Sequence, residues 1–322
     1  MKFKFSILSI ATVLLIISSA WGFFAHKTIN RLAVFTLPEP IVGFYKQNIE
    51  YITDQATAAD KRRYSDPKEA PRHYIDLDHF EQCLPIDTMP FFWDMAKEKF
   101  TEDTLNAYGI VPWIINWKMR ELTQAFKDKN KERILRLSAD LGHYIGDAHV
   151  PLHTSENYDG QMTDQKGIHG FWESRVPEVS YTQYDFFVGT AEYLDSPFYN
   201  VWKAVKESFN ARDSVLRFEK ILSAKYADDK KYTLVAKGAT MVKGYSEEYT
   251  KAYEQMLHGM VERRFRASIK LVGSVWYTCW VNAGQPSLDG MSDTPLTEEQ
   301  KKNLNAEEEQ YKKGKIIGRP EN

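Results

Sequence analysis

The chain has 322 residues, 43% hydrophobic and 27% charged, which is enough apolar side chain to bury a core and too much for a disordered chain. A formal net charge of −2 excludes a protein that grips nucleic acid by a broad basic surface, though not an enzyme that cuts it one phosphate at a time. Cys83 and Cys279 are the only cysteines, so there is no thiolate cluster, and a metal would have to sit on His, Asp and Glu.

Lys2 and Lys4 precede an almost unbroken apolar run, Phe5 to Ile17, and Ser18-Ser19-Ala20 supplies the small residues that a signal peptidase reads. The run is short for a bilayer span. Residues 1–20 are therefore expected to be a signal peptide, with Trp21 opening a mature protein that is secreted or periplasmic. Loss of the two lysines takes the formal charge from −2 to −4. Nothing later reads as a membrane span, and no stable protein partner is evident.

Residues 26–37 and 39–50 read as two helices divided by Pro38. From Tyr51 to about Pro90 the periodicity is weak, which predicts a loop holding Asp60 and His73; long irregular stretches inside a domain usually serve function. Residues 102–128 and 130–149 are predicted helices, the second ended by Pro151. A polar loop (Tyr158, Asp159, Gly160, Gly167) precedes a helical start at His169. Further helices are predicted over 196–226 and 231–280. Within the last, Tyr249, Tyr253, Met256, Met260, Ile269, Val272 and Trp276 form an apolar stripe, while Glu262, Arg263, Arg264 and Arg266 read as a solvated face. Cys279 reads as a small hydrophobe on that helix. From Pro286 to residue 322 the chain is a polar tail, rich in lysine at Lys312-Lys313-Gly314-Lys315, and is expected to fray. No strand pattern and no internal repeat are found, so the predicted fold is all-α, with one domain over residues 21–285.

The chemistry shows between Leu137 and Glu173. His143 and Asp147 are four apart, on one face of a helix. His153 lies just past Pro151, where the chain must leave the helix and can fold back, and His169 and Glu173 repeat the four-residue step. A single histidine near an apolar face is more often a satisfied core residue. Five such residues within 31 positions would each need a separate reason of that kind. Imidazole and carboxylate donors without thiolates suit zinc. His149, two residues from Asp147, falls on the wrong side of the helix and reads as outer-sphere or structural, and His79 and His258 also receive structural readings. Asp60 and His73 are the loop's candidate ligands.

With Trp21…His26, His73-Tyr74-Ile75-Asp76, the run from Gly142 to His153 and His169…Glu173, the sequence resembles the superfamily of bacterial zinc-dependent phospholipases C and single-strand-specific nucleases. The resemblance covers Trp21 to about Gly284. It implies a multi-helix domain with a cleft for three zinc ions. One would sit on Asp60, His73, His143 and Asp147, and a second on His153, His169 and Glu173. The third would take the free amine and carbonyl of Trp21 with His26, Asp147 bridging to the first. It also implies that zinc holds a hydroxide nucleophile, with Asp60 and Asp76 in catalytic roles, Asp76 orienting the nucleophile or standing behind the ligands. The substrate would be a phosphodiester, either a phospholipid or single-stranded nucleic acid. Glu173 resembles the phospholipase C branch, since the nucleases usually carry Asp there, and two cysteines cannot supply the disulfides common among the nucleases. The expectation is therefore a phospholipase C-like phosphoric-ester hydrolase. A single-strand-specific endonuclease/3′-nucleotidase is the alternative. A non-catalytic periplasmic zinc- or lipid-binding protein is the alternative of another class.

Overall fold

The structure is a computed structural model that describes residues 22–82, 85–237 and 240–291, together with Glu298, Lys302, Asn305, Ala306, Glu309, Ile317 and Arg319. The expected signal peptide, Trp21 and Cys83 lie outside those residues. Among the described residues six helices reach ten residues or more: α1 (Gly22–Val34), α2 (Val111–Lys127), α3 (Lys131–Ala148), α4 (Pro197–Ser223), α5 (Glu247–Met256) and α6 (Met260–Asn282). Apart from one hairpin, β1 (Tyr232–Lys237) with β2 (Thr240–Tyr245), the fold is all-α.

Each long helix starts where its sequence permits. Pro112 stands in the first turn of α2, where its missing N–H costs nothing. The Asn130 side chain accepts the Arg133 N–H and caps α3, a contribution of typically ~1 kcal/mol. Lys129, at φ 49°, makes the sharp turn that lays α3 back along α2. The helices then meet through paired polar groups as well as apolar ones. The Trp276 indole N–H donates to the Ser138 carbonyl at 3.0 Å, and the Tyr45 ring stacks on Trp276 at 4.9 Å. Asn30 of α1 donates to the Ala139 carbonyl of α3 at 3.1 Å. The main core gathers Val34, Tyr45, Trp113, Ile145, Trp202 and Trp276; a second, around Leu152, Phe171, Val215, Tyr249 and Tyr253, lies under the hairpin. Each such buried side chain stabilises the fold by about 1.5–3 kcal/mol.

Several expectations are corrected. The predicted loop after Tyr51 contains short helices, Ile49–Asp54, Ala58–Arg62 and Leu77–Glu81, each too brief to show a helical period. The helix predicted over 102–128 breaks at Gly109, whose φ is 94° and where a Cβ would stand 2.2 Å from the Tyr74 carbonyl oxygen. That close approach seats the Tyr74–Asp76 strand of chain against α2. The helix predicted over 231–280 is interrupted twice: by the hairpin, in which Tyr232 opposes Tyr245, and at His258 and Gly259, both with positive φ. With Leu234 and Met241 both exposed, the strands carry no inside–outside alternation to read. Arg264 is buried rather than solvated, donating from Nε to the His149 carbonyl at 3.0 Å and from Nη2 to the Ala204 carbonyl at 2.7 Å. Cys279 is a buried free thiol, as a small hydrophobe would be, with its pKa pushed up to about 12 by burial. No helix among the described residues is long and apolar enough to cross a membrane.

Glu254 yields a test of packing under the second core. Burial raises its carboxyl to about 7, against the hydrogen bond from the Tyr184 hydroxyl at 3.1 Å that favours the anion. The folded state therefore holds this proton when the unfolded chain has lost it, and the contribution falls as pH rises from the ordinary glutamate value through about 7. Measured by thermal melts from pH 5 to 8, Glu254→Gln should gain stability relative to the parent as pH rises. A difference independent of pH would contradict the burial of this carboxyl.

Candidate metal centre

The site is assembled where six pieces of chain converge. His143 and Asp147 project one turn apart from α3, and the helix ends before Pro151, so that the 3-10 turn Pro151–Thr154 brings His153 back beneath them. The His153 carbonyl accepts the Ile75 N–H at 2.9 Å, and His153 Nδ1–H donates to the His73 carbonyl at 2.6 Å, locking the His73 segment alongside. His26 of α1 lies over Gly146 of α3, where a Cβ would come within 2.9 Å of its ring nitrogen; only glycine leaves the room. Asp60 comes from the short helix Ala58–Arg62. His169 opens a helical turn after Gly167, which has φ 94°, and Glu173 sits in the π-helical turn Phe171–Arg175. Such turns widen a helix and often mark functional sites.

All eight described candidates are brought together. Their donor atoms form four overlapping groups, each within 4.8 Å: His26, Asp60 and His143; His73, His143 and Asp147; His153, His169 and Glu173; His26, Asp147 and Glu173. Asp147 is 1% exposed and faces four imidazoles, at 3.3 Å to His26, 3.0 Å to His73, 3.3 Å to His143 and 3.7 Å to His153. Asp60 Oδ1 stands 3.5 Å from His143 Nε2 and 3.8 Å from His73 Nδ1. Glu173 spans two groups, one oxygen 3.3 Å from His26 and the other 2.8 Å from His169. This spanning carboxylate is absent from the sequence reading.

Three rings have their tautomers fixed by carbonyls, which can only accept. His143 Nδ1–H donates to Ala56, His153 Nδ1–H to His73, and His169 Nδ1–H to Tyr158, so that each Nε2 is turned toward the centre. His73 is reversed: Nδ1 faces Asp147 and His143, while Nε2 points at Glu69, 3.6 Å away. Two pairs of ring nitrogens face each other, His143 Nε2 with His73 Nδ1 at 3.0 Å and His153 Nε2 with His169 Nε2 at 3.1 Å. Donors of one tetrahedral zinc stand about 3.3 Å apart, close to these separations. His26 Nδ1 is buried with no partner among the described residues.

The electrostatics agree with a site built for cations. Burial opposes charge on Asp147, yet the facing His143 and His153 hold its carboxyl well below the usual range. Glu173 is likewise lowered against burial by His153, His169 and His26. Burial disfavours a charged His73, but Asp147 and Glu69 outweigh it and raise the ring to about 10. The carboxylates thus favour positive charge on His73 and His26, the charge that a zinc ion held there would supply instead.

An outer ring that the sequence reading missed supports His73. Glu69 is fully buried, accepts from the Tyr144 hydroxyl and from Arg72 Nη1 at 2.6 Å, and is held below the usual carboxylate range by His73 and Arg62 against burial. Arg62 also pairs with Asp140 at 2.9 Å. The four-residue steps Glu69–His73 and Asp140–Tyr144 were the available signals. His149 stays outside the cluster: Nδ1–H donates to the Ile145 carbonyl at 2.7 Å, and burial with nearby Arg264 lowers the ring to about 3. His79 stacks on Tyr108 at 3.3 Å, and His258 is exposed.

Asp76 does not join the metal groups. Its carboxylate accepts both Arg319 Nη1 contacts, at 2.7 and 2.8 Å, and burial raises its pKa to about 6 despite that cation. The Arg319 guanidinium lies between two aromatic rings, 3.6 Å from the Tyr158 centroid and 4.2 Å from Tyr74. Fraying is thus corrected at Arg319, which is docked.

The chain brings eight imidazole and carboxylate groups around one buried centre, a donor set that suits zinc. The profile of the S1/P1 Nuclease family matches residues 21–265, and the chain belongs to that family of zinc-dependent phosphodiester hydrolases. A stretch of 88 residues is 30% identical to ADP-ribosyl cyclase/cyclic ADP-ribose hydrolase 1 of Mus musculus, over 27% of this chain and 24% of that protein. The match thus spans about a quarter of that relative, whose printed activity is stated of it alone.

Asp147→Asn keeps the shape but removes the charge that four imidazoles face. It should cost zinc affinity more than the roughly 10–100-fold typical of an outer-sphere partner, with activity lost in parallel. His149→Asn should retain most of both. Equal loss in competitive chelator titrations of the two variants would contradict the placement of Asp147 at the centre.

Proposed function

We propose that the protein is an exported single-strand-specific nuclease/3′-nucleotidase carrying three zinc ions. The observation that supports this best is the clamp beside the centre. Tyr74 and Tyr158 face a shared planar group, and the Asp76 carboxylate at its edge accepts two N–H contacts. A nucleobase offers the same combination, a π-face for stacking and N–H donors on its edge. Tyr74 and Asp76 belong to the His73 segment, and the Tyr158 carbonyl holds His169, so a base in the clamp would set its own phosphate near the metal ligands.

In this reading Asp60, His73, His143 and Asp147 hold one zinc, and His153, His169 and Glu173 hold a second. His26 holds the third with the amine and carbonyl of Trp21, which requires cleavage of residues 1–20. Zinc supplies a nucleophile from water at neutral pH and positive charge for the phosphoryl oxygens. The protein's part is orientation. Asp147 and Glu173 join the ligand groups, the carbonyls of Ala56, His73 and Tyr158 keep three rings in the ligating tautomer, and Asp76 binds the edge of the base. Asp60, at 16% exposure the most open ligand carboxylate, borders the place where substrate arrives.

Glu173 keeps the phospholipase C-like reading as the second one, because that branch carries Glu at this position. A zinc-loaded assay offering phosphatidylcholine, single-stranded DNA and RNA side by side separates the two. The nuclease reading expects cleavage of both nucleic acids, abolished by chelator, with Tyr158→Ala raising KM more than it lowers kcat. Turnover of phosphatidylcholine alone would overturn it.

A further inference from the structure

We propose that the segment carrying Ile317 and Arg319 is a built-in competitor that occupies the substrate cleft through Arg319. The contact is made at several points. The Ile317 N–H donates to the Arg63 carbonyl at 2.9 Å, and Arg63 Nη2 donates to the Arg319 carbonyl. Arg319 Nη1 then reaches both oxygens of Asp76, and Nη2 donates to the Ser155 carbonyl at 3.0 Å. The pair is almost closed to solvent, with Arg319 12% and Asp76 7% exposed.

The groups that the Arg319 side chain touches lie on segments next to candidate ligands. Tyr74 and Asp76 follow His73, Ser155 follows His153 by two residues, and the Tyr158 carbonyl orients His169. Asp78 fixes that far wall by accepting the Ser155 hydroxyl at 2.6 Å and the Glu156 N–H at 3.0 Å. A guanidinium is flat, stacks on aromatic faces and presents N–H donors in one plane. Those are the features by which a base would enter the same clamp, so the two occupants exclude each other. This inference rests on the reading of the cleft as the place where substrate meets the centre.

An intramolecular occupant divides the free enzyme into open and closed forms, so it raises KM and leaves kcat unchanged, because saturating substrate displaces it. The experiment compares the zinc-loaded parent with Arg319→Ala and Arg319→Lys, all retaining residues 286–322, on a single-stranded oligodeoxynucleotide. Arg319→Ala should lower KM by about tenfold, the effect of losing one charge-assisted pair, with kcat little changed. Arg319→Lys, which keeps charge without the planar fork, should fall between. A peptide of residues 315–322 added at about 1 mM, near the effective concentration of a tethered segment, should inhibit Arg319→Ala competitively. The same peptide with alanine for Arg319 should not. Independently of turnover, amide hydrogen exchange over residues 73–77 and 155–159 should be faster in Arg319→Ala than in the parent and slowed again by the peptide. A KM unchanged or raised in Arg319→Ala, or exchange indifferent to the substitution, overturns the proposal. If phosphatidylcholine is cleaved and DNA is not, the nuclease reading fails, and the same comparison of KM on the lipid still decides whether Arg319 competes.

Discussion

Two carboxylates withdrawn from water set the terms for the rest of this molecule. Asp147 lies at the end of α3 with 1% of its side chain exposed, and Glu173 sits beside it in a π-helical turn. An ionised carboxylate in such a place is tolerable only if opposite charge or several donors surround it. Imidazoles from α1, α3, the His73 segment and the two turns after Pro151 provide that shell, and a divalent cation held among them would add to it. The backbone follows from it. Gly146 lets His26 approach, Pro151 ends α3 in time for His153 to return, and Gly109 allows the Tyr74 carbonyl to come close.

The shell is also organised in depth. Carbonyls fix three of the imidazoles, and the buried Glu69, tied to Tyr144 and Arg72, stands behind the fourth. Orientation and tautomer are thus set for His143, His153 and His169 before any metal would enter. The same rigidity reaches the substrate side, since the loop bearing Tyr158 is tied to Asp78 and to His169. Chemistry, orientation and the occupied clamp thus share a few short segments. That sharing gives one distant arginine access to the whole cleft.

The candidate ligands were legible as a set because they follow local periodicity. His143 and Asp147, or His169 and Glu173, declare a common helix face through spacing alone, and α3 and α4 fell close to their predicted limits. Position relative to remote chain was not legible. Glu173 joins two metal groups because α1 crosses α3 at Gly146, which no periodicity states. Arg264 read as solvated from its charged neighbours, yet it is buried because its donors meet the carbonyls at the end of α3 and on α4. The apolar stripe through Tyr249 and Trp276 was real. It spans two helices because residues on both sides of the break at Gly259 face buried cores, and a period does not register a turn that preserves it. The tail composition suggested fraying and concealed Arg319, whose role depends on a carboxylate 243 residues earlier in the chain.

The central claim is that these imidazoles and carboxylates are one zinc centre. It is tested most directly by anomalous diffraction collected on both sides of the zinc absorption edge from crystals of protein processed to begin at Trp21. The account predicts three peaks: one among Asp60, His73, His143 and Asp147, one among His153, His169 and Glu173, and one beside His26. Peaks confined to the surface, or a cluster without zinc in active, chelator-free protein, would contradict it.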